Sequence, residues 1–178
     1  MHTPLNTAIH TPIHPAAPTP GRGFALPEPD TDPAPPLVMR LARDFGADWV
    51  TEATVADWTA GGGDRVVLLA GDPVRFPEGQ DVAAVLPELM KAFPHRFKLA
   101  VVPRDSEDAV ARRYGSQRWP TLLFLRNGQY VTAIAGMQDW DVYLRGVAAA
   151  LALPPSRPPT IGIPVVSRAS AGGDSSCH

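Results

Sequence analysis

Residues 119–136 read WPTLLFLRNGQYVTAIAG, and this stretch decides the fold. Asn127-Gly128 separates two runs of strand-forming residues, 121–125 (TLLFL) and 130–135 (YVTAIA). Both central residues of a two-residue hairpin turn need positive φ, which Asn and Gly tolerate, so the stretch predicts a β-hairpin. Gly136 closes it and Trp119-Pro120 leads into it.

Working upstream, residues 65–70 (RVVLLA) form a continuous Val- and Leu-rich run between glycines, as suits a strand buried on both faces. Residues 97–102 (FKLAVV) predict another strand and 48–51 a short one. Residues 71–80 (GDPVRFPEGQ) hold two Pro and two Gly and predict a loop. The helix expected over 81–93 turns Val82, Val85, Leu86, Leu89, Met90 and Phe93 inward, with Pro87 inside it at a cost of up to about 3 kcal/mol. Over 105–114 a helix is expected with Asp105 or Ser106 as its cap, Glu107 and Asp108 at the positive end of the dipole, and Arg112 and Arg113 at the negative end. Helices over 37–45, over 54–60 capped by Thr54, and over 139–153 complete the order. Crossover βαβ units closed by an antiparallel hairpin predict an α/β fold, a mixed central sheet sandwiched by helices.

Composition sets the limits of that domain. Of 21 Pro in 178 residues, ten fall in 1–36, five in 154–178 and six between, whereas the middle holds 12 of the 13 aromatics. The arms have too little apolar content to offset their ordering entropy. The expectation is a Pro-rich disordered arm over 1–36, one domain over 37–153 and a flexible tail over 154–178. Within 37–153, 13 basic residues face 14 acidic ones, which excludes the basic excess that non-specific nucleic-acid or membrane-surface binding needs. No apolar run approaches the roughly 20 residues of a spanning helix, and residues 1–20 resemble no secretory signal, so the expected compartment is the cytoplasm. Cys177 is the one cysteine, which leaves no disulfide framework. Cys177-His178 and the N-terminal His2, His10 and His14 lack convergent ligand spacing; no metal and no cofactor are expected.

The element order, with Trp119-Pro120-Thr121 directly before the hairpin, resembles a thioredoxin fold over residues 48–153. That resemblance implies a cis bond at Trp119-Pro120, a glycine at the end of the last strand and a proline kink in the second helix, for which Pro87 is suited. It departs at the redox motif, where Gly79-Gln80-Asp81-Val82 stands in place of Cys-x-x-Cys. Thiol–disulfide exchange needs an attacking and a resolving thiol, so dithiol activity is excluded. Val66-Val67-Leu68-Leu69, Asp72-Pro73 with Arg75 and Pro77-Glu78, Glu88-Leu89, Phe93-Pro94, Arg113-Tyr114-Gly115, the stretch from Pro120 to Gly136, Trp140 and Arg145-Gly146 together are similar to the HyaE/HupG family of nickel–iron hydrogenase expression proteins. The family resemblance implies a non-catalytic chaperone that holds the hydrogenase small-subunit precursor through its twin-arginine signal peptide before export. The Pro-rich arm, preordered for docking as polyproline segments are, is expected to reach other hydrogenase accessory proteins.

Two constellations are candidates for client binding. Asp72, Glu78 and Asp81 gather carboxylates where the redox pair would stand, and paired guanidinium groups bind carboxylates in fork geometry. The plainer reading is that Asp72 caps a turn, Asp81 caps the helix and Glu78 is solvated. Trp119 and Pro120 are the second candidate, an aromatic beside backbone able to pair with an extended peptide. The plainer reading there is a Trp119 packed on the last helix. A one-cysteine redox protein using Cys177 and a redox-inactive interaction module with another client are the rival functions.

Overall fold

A computed structural model describes residues 33–159. Among these the elements are α1 (Pro36–Phe45), β1 (Asp48–Trp49), α2 (Val55–Ala60), β2 (Asp64–Leu69), α3 (Glu78–Ala92), β3 (Lys98–Val101), α4 (Arg104–Arg113), β4 (Thr121–Arg126), β5 (Gln129–Ala135) and α5 (Trp140–Ala152). The strands build a five-stranded sheet of order β1-β3-β2-β4-β5. β3 pairs parallel with both β1 and β2, while β4 runs antiparallel to β2 and to β5. This is the thioredoxin-like arrangement that the hairpin and crossover units predicted.

Continuous apolar strands are explained by a core on each side of the sheet. Val66 and Leu68 of β2, Leu99 and Val101 of β3, and Leu122 and Phe124 of β4 face one core, with Val38 and Leu41 of α1, Leu86 and Leu89 of α3, and Tyr143 and Val147 of α5. Val67 and Leu69, Ala100, and Leu123 and Leu125 face the other, with Val55 of α2 and Val110 and Ala111 of α4. Side chains alternate across a strand, so a strand covered on both faces loses the apolar–polar alternation. At the hairpin, Asn127 (φ 50) and Gly128 (φ 80) take the left-handed conformations that the turn requires.

Several helix starts differ from expectation. α3 begins three residues earlier than its apolar spacing indicates, so Gly79 and Gln80 are helical. Gly79 is there for packing: a Cβ would collide with the Ala70 carbonyl at the end of β2. Asp81 therefore lies in the first turn of α3 and does not cap it. α4 starts at Arg104 behind Pro103, and neither Asp105 nor Ser106 caps it. Thr54 precedes α2 without capping it; its hydroxyl instead accepts from Thr51 N (2.9 Å). α3 runs through Pro87, which is buried.

The described chain extends beyond 37–153 at both ends. Ala34 is buried, and Pro33 O accepts from Arg104 N at 2.9 Å. After α5, Ser156 N donates to Tyr130 O (2.6 Å) and Ser156 Oγ to Val131 O (3.1 Å), so this part of the expected tail lies against β5. Most of the expected arm, with His2, His10 and His14, and the rest of the tail, with Cys177 and His178, lie outside the described residues.

Candidate functional site

The C-terminal end of β2, the loop that follows it, the first turns of α4 and the segment entering β4 converge on one cavity of about 230 Å³. Gly71, Asp72, Arg75, Phe76, Arg104, Glu107, Asp108 and Trp119 line it. The Trp119–Pro120 bond is cis. Pro120 is buried beneath, its carbonyl accepting from Gly136 N at 2.7 Å, and this bond ties the entry of the hairpin to its end.

Trp119 is half-buried and stacks on Phe76, with ring centroids 5.6 Å apart and planes at 25°. The Arg75 guanidinium lies 5.4 Å from the Phe76 centroid. Cation, phenyl and indole thus form one wall, and such aromatic pairs gain roughly 0.5–1.5 kcal/mol beyond area burial. Gly71 makes the stack possible. Its φ is +82°, and a Cβ would lie 2.8 Å from Phe76 Cδ2 and 2.9 Å from Trp119 Cβ. Trp119 does not pack on α5, because it borders the opposite core; it packs on the loop after β2.

Asp72 does cap a turn, its Oδ1 accepting from Val74 N (3.0 Å) and Arg75 N (2.9 Å). The residue is exposed and stands on the cavity lining. Glu78 and Asp81 are exposed in the first turn of α3 and are not part of that lining. The structure therefore brings Asp72 and Trp119 onto one cavity lining and leaves the other two carboxylates out of it.

Sequence reasoning missed a buried group in the lining of the cavity. Glu107, expected only at the positive end of the helix dipole, is buried. Its carboxylate accepts from Ala70 N (2.9 Å) and Gly71 N (2.7 Å), and Trp119 shares the cavity wall with it. Burial pushes the Glu107 carboxyl up to about 7, against the pull of the Gly71 and Ala70 N–H groups and of the indole, and neighbouring Asp108 pushes the same way as burial. One side chain from α4 thereby holds the backbone at the end of β2. A signal was present: Glu107 precedes the buried Val110 and Ala111 by the helical spacing that places all three on one face, the face toward the core.

Chemically, the cavity is an open cleft with aromatic and charged walls. Among the described residues no group of three or more His, Cys, Asp and Glu is arranged to hold a metal ion. No described helix is long and apolar enough to cross a membrane.

Residues 37–143 match the family model of the hydrogenase-1 expression protein HyaE. The hydrogenase expression/formation protein HoxO of Cupriavidus necator is 55% identical over 157 residues, 87% of this chain and 96% of its own length. HupG of Bradyrhizobium diazoefficiens, also a hydrogenase expression/formation protein, is 40% identical over 126 residues, 68% of this chain and 84% of its own. A crystal structure named as a hydrogenase expression/formation protein hupG from Rhodopseudomonas palustris shares 42% identity over 59% of this chain and 95% of its own, with a TM-score of 0.42.

Proposed function

The chain belongs to the hydrogenase-1 expression protein HyaE family, and on that premise we propose that it serves hydrogenase maturation as a non-catalytic holding protein. Its client is the small-subunit precursor, held in the cytoplasm through the twin-arginine signal peptide until export. The observation that supports this reading is the cleft beside the cis Trp119–Pro120 bond, walled by Trp119, Phe76 and Asp72. Trp119 and Phe76 offer apolar area to a peptide, as interface anchors do, and Asp72 offers a carboxylate to an arginine. Ion pairs at an exposed rim set on-rate and salt response more than affinity, so moderate binding that weakens with salt is expected.

A pull-down of the precursor, with and without its signal peptide, tests the reading. Capture that disappears with the signal peptide supports it; equal capture of both forms overturns it in favour of an interaction module with another binding determinant. Trp119→Ala and Asp72→Asn, each checked for folding, then locate the contact. Unchanged peptide affinity in both at low salt refutes the cleft as the site.

A further inference from the structure

We propose that the face shared by α3 and α5 is a second docking surface, taking a client segment in which cationic side chains flank a large apolar one. This rests on reading the protein as the holder of a polypeptide client.

Ala84, Val85 and Glu88 of α3 and Trp140 of α5 enclose an open slot of about 300 Å³, at the low end of ligand pockets. Trp140 is 43% exposed there, although an indole buries more area than most side chains and is a common anchor of interfaces. Its α3 side is acidic: Glu88 lines the slot one helical turn after Ala84 and Val85, and Asp81 stands one turn before them on the same helix, both exposed. Asp139 and Asp141 are exposed chain neighbours of Trp140, with Arg145 further along α5. Lys91 answers Glu88 at 2.7 Å in a solvated pair, which adds little net attraction.

An apolar floor with a carboxylate rim selects a segment of complementary charge. The chain's own ends are poor occupants on that criterion. Residues 1–32 carry Glu28, Asp30 and Asp32 against Arg22, and residues 160–178 carry Asp174 against Arg168. Anionic lipid headgroups would meet the same carboxylates unfavourably. A separate polypeptide with Arg or Lys on either side of an apolar residue fits floor and rim together. Asp81, and Glu78 beside it in the first turn of α3, then belong to this surface rather than to the cavity at Trp119.

The test titrates two synthetic probes, the small-subunit signal peptide and the same peptide with its apolar stretch replaced by Ser and Gly. Wild type, Trp140→Ser and Ala84→Lys are compared; Ala84 is an exposed helical position, so the second variant keeps the fold while bringing a cation into the slot. The expected result is a loss of about tenfold or more in affinity for the full peptide in both variants. The modified peptide should bind weakly and equally to all three proteins. Full-strength binding of the intact peptide by both variants overturns this inference and leaves the proposed function standing. No binding by wild type overturns both. A dimer of the free protein that Ala84→Lys dissociates, or tighter peptide binding after removal of residues 1–32, assigns the slot to this chain itself and overturns the assigned occupant.

Discussion

Stability should fall as pH rises from about 5 to 8, and Glu107→Gln should abolish that part of the fall. The carboxyl of Glu107 titrates near 7 in the fold, against an ordinary 4.5, because burial disfavours its charged form. A raised carboxyl pKa favours the protonated fold. Its contribution is present in full below pH 4.5, is lost as the pH rises through 7, and stays lost above that. At 1.36 kcal/mol per pKa unit, the change between pH 5 and pH 8 comes to about 2–3 kcal/mol. A glutamine side chain stays neutral across the range. Its one carbonyl keeps one of the two amide bonds and its NH2 faces the other N–H, a loss that is the same at every pH and so drops out of the slope. Urea unfolding of both proteins at pH 5, 6, 7 and 8 isolates the group, since every other titration is common to the two. The Glu107→Gln protein should gain on the wild type by about 2–3 kcal/mol between the extremes. Parallel curves, with a difference constant to within about 0.5 kcal/mol, would refute the claim that burial governs this carboxyl. A change of Trp119 emission confined to the wild type over the same range would report the charge appearing on Glu107 beside it in the cavity wall.

Three further outcomes follow from local packing. Gly79→Ala should cost about 3 kcal/mol or more, because the new methyl meets the Ala70 backbone carbonyl rather than a side chain that can move; thermal unfolding reads it. Gly71→Ala should cost about 1–2 kcal/mol for its left-handed φ alone and should also separate Phe76 from Trp119, so that peptide affinity falls with stability in a titration of the signal peptide. Arg126 pairs with Asp64 (2.6 Å) and donates to Leu151 O (2.7 Å) and Leu153 O (2.8 Å) at the end of α5. Removing it in Arg126→Ala should destabilise by about 2–4 kcal/mol in urea unfolding, and Arg126→Lys should recover only part, since one ammonium cannot reproduce the guanidinium fork.

The hairpin was legible because its instructions are local: two β-rich runs and an Asn-Gly turn fix register within 18 residues. The twofold-buried strands were legible for a related reason, since Val66 to Leu69 lack any polar alternation. The start of α3 was not. Gly79 looks like punctuation in sequence, and only the approach of α3 to Ala70 reveals it as a contact. The same holds for the caps: Asp81 and Asp105 have suitable side chains but the backbone enters their helices elsewhere, and Thr54 stands at the N-cap position with its hydroxyl engaged by Thr51 N instead.

For the candidate site, the residues alone determined that no dithiol chemistry can operate in this domain, and the resemblance to a thioredoxin fold singled out Trp119-Pro120 and Asp72 as candidates. Tertiary structure alone decided that Glu107 is buried in the lining of the cavity and that Glu78 and Asp81 are not part of that lining. The physical reason is that a carboxylate's role depends on the donors and solvent around it. For Glu107 those donors come from residues 36 and 37 positions away, a separation that only the folded chain closes.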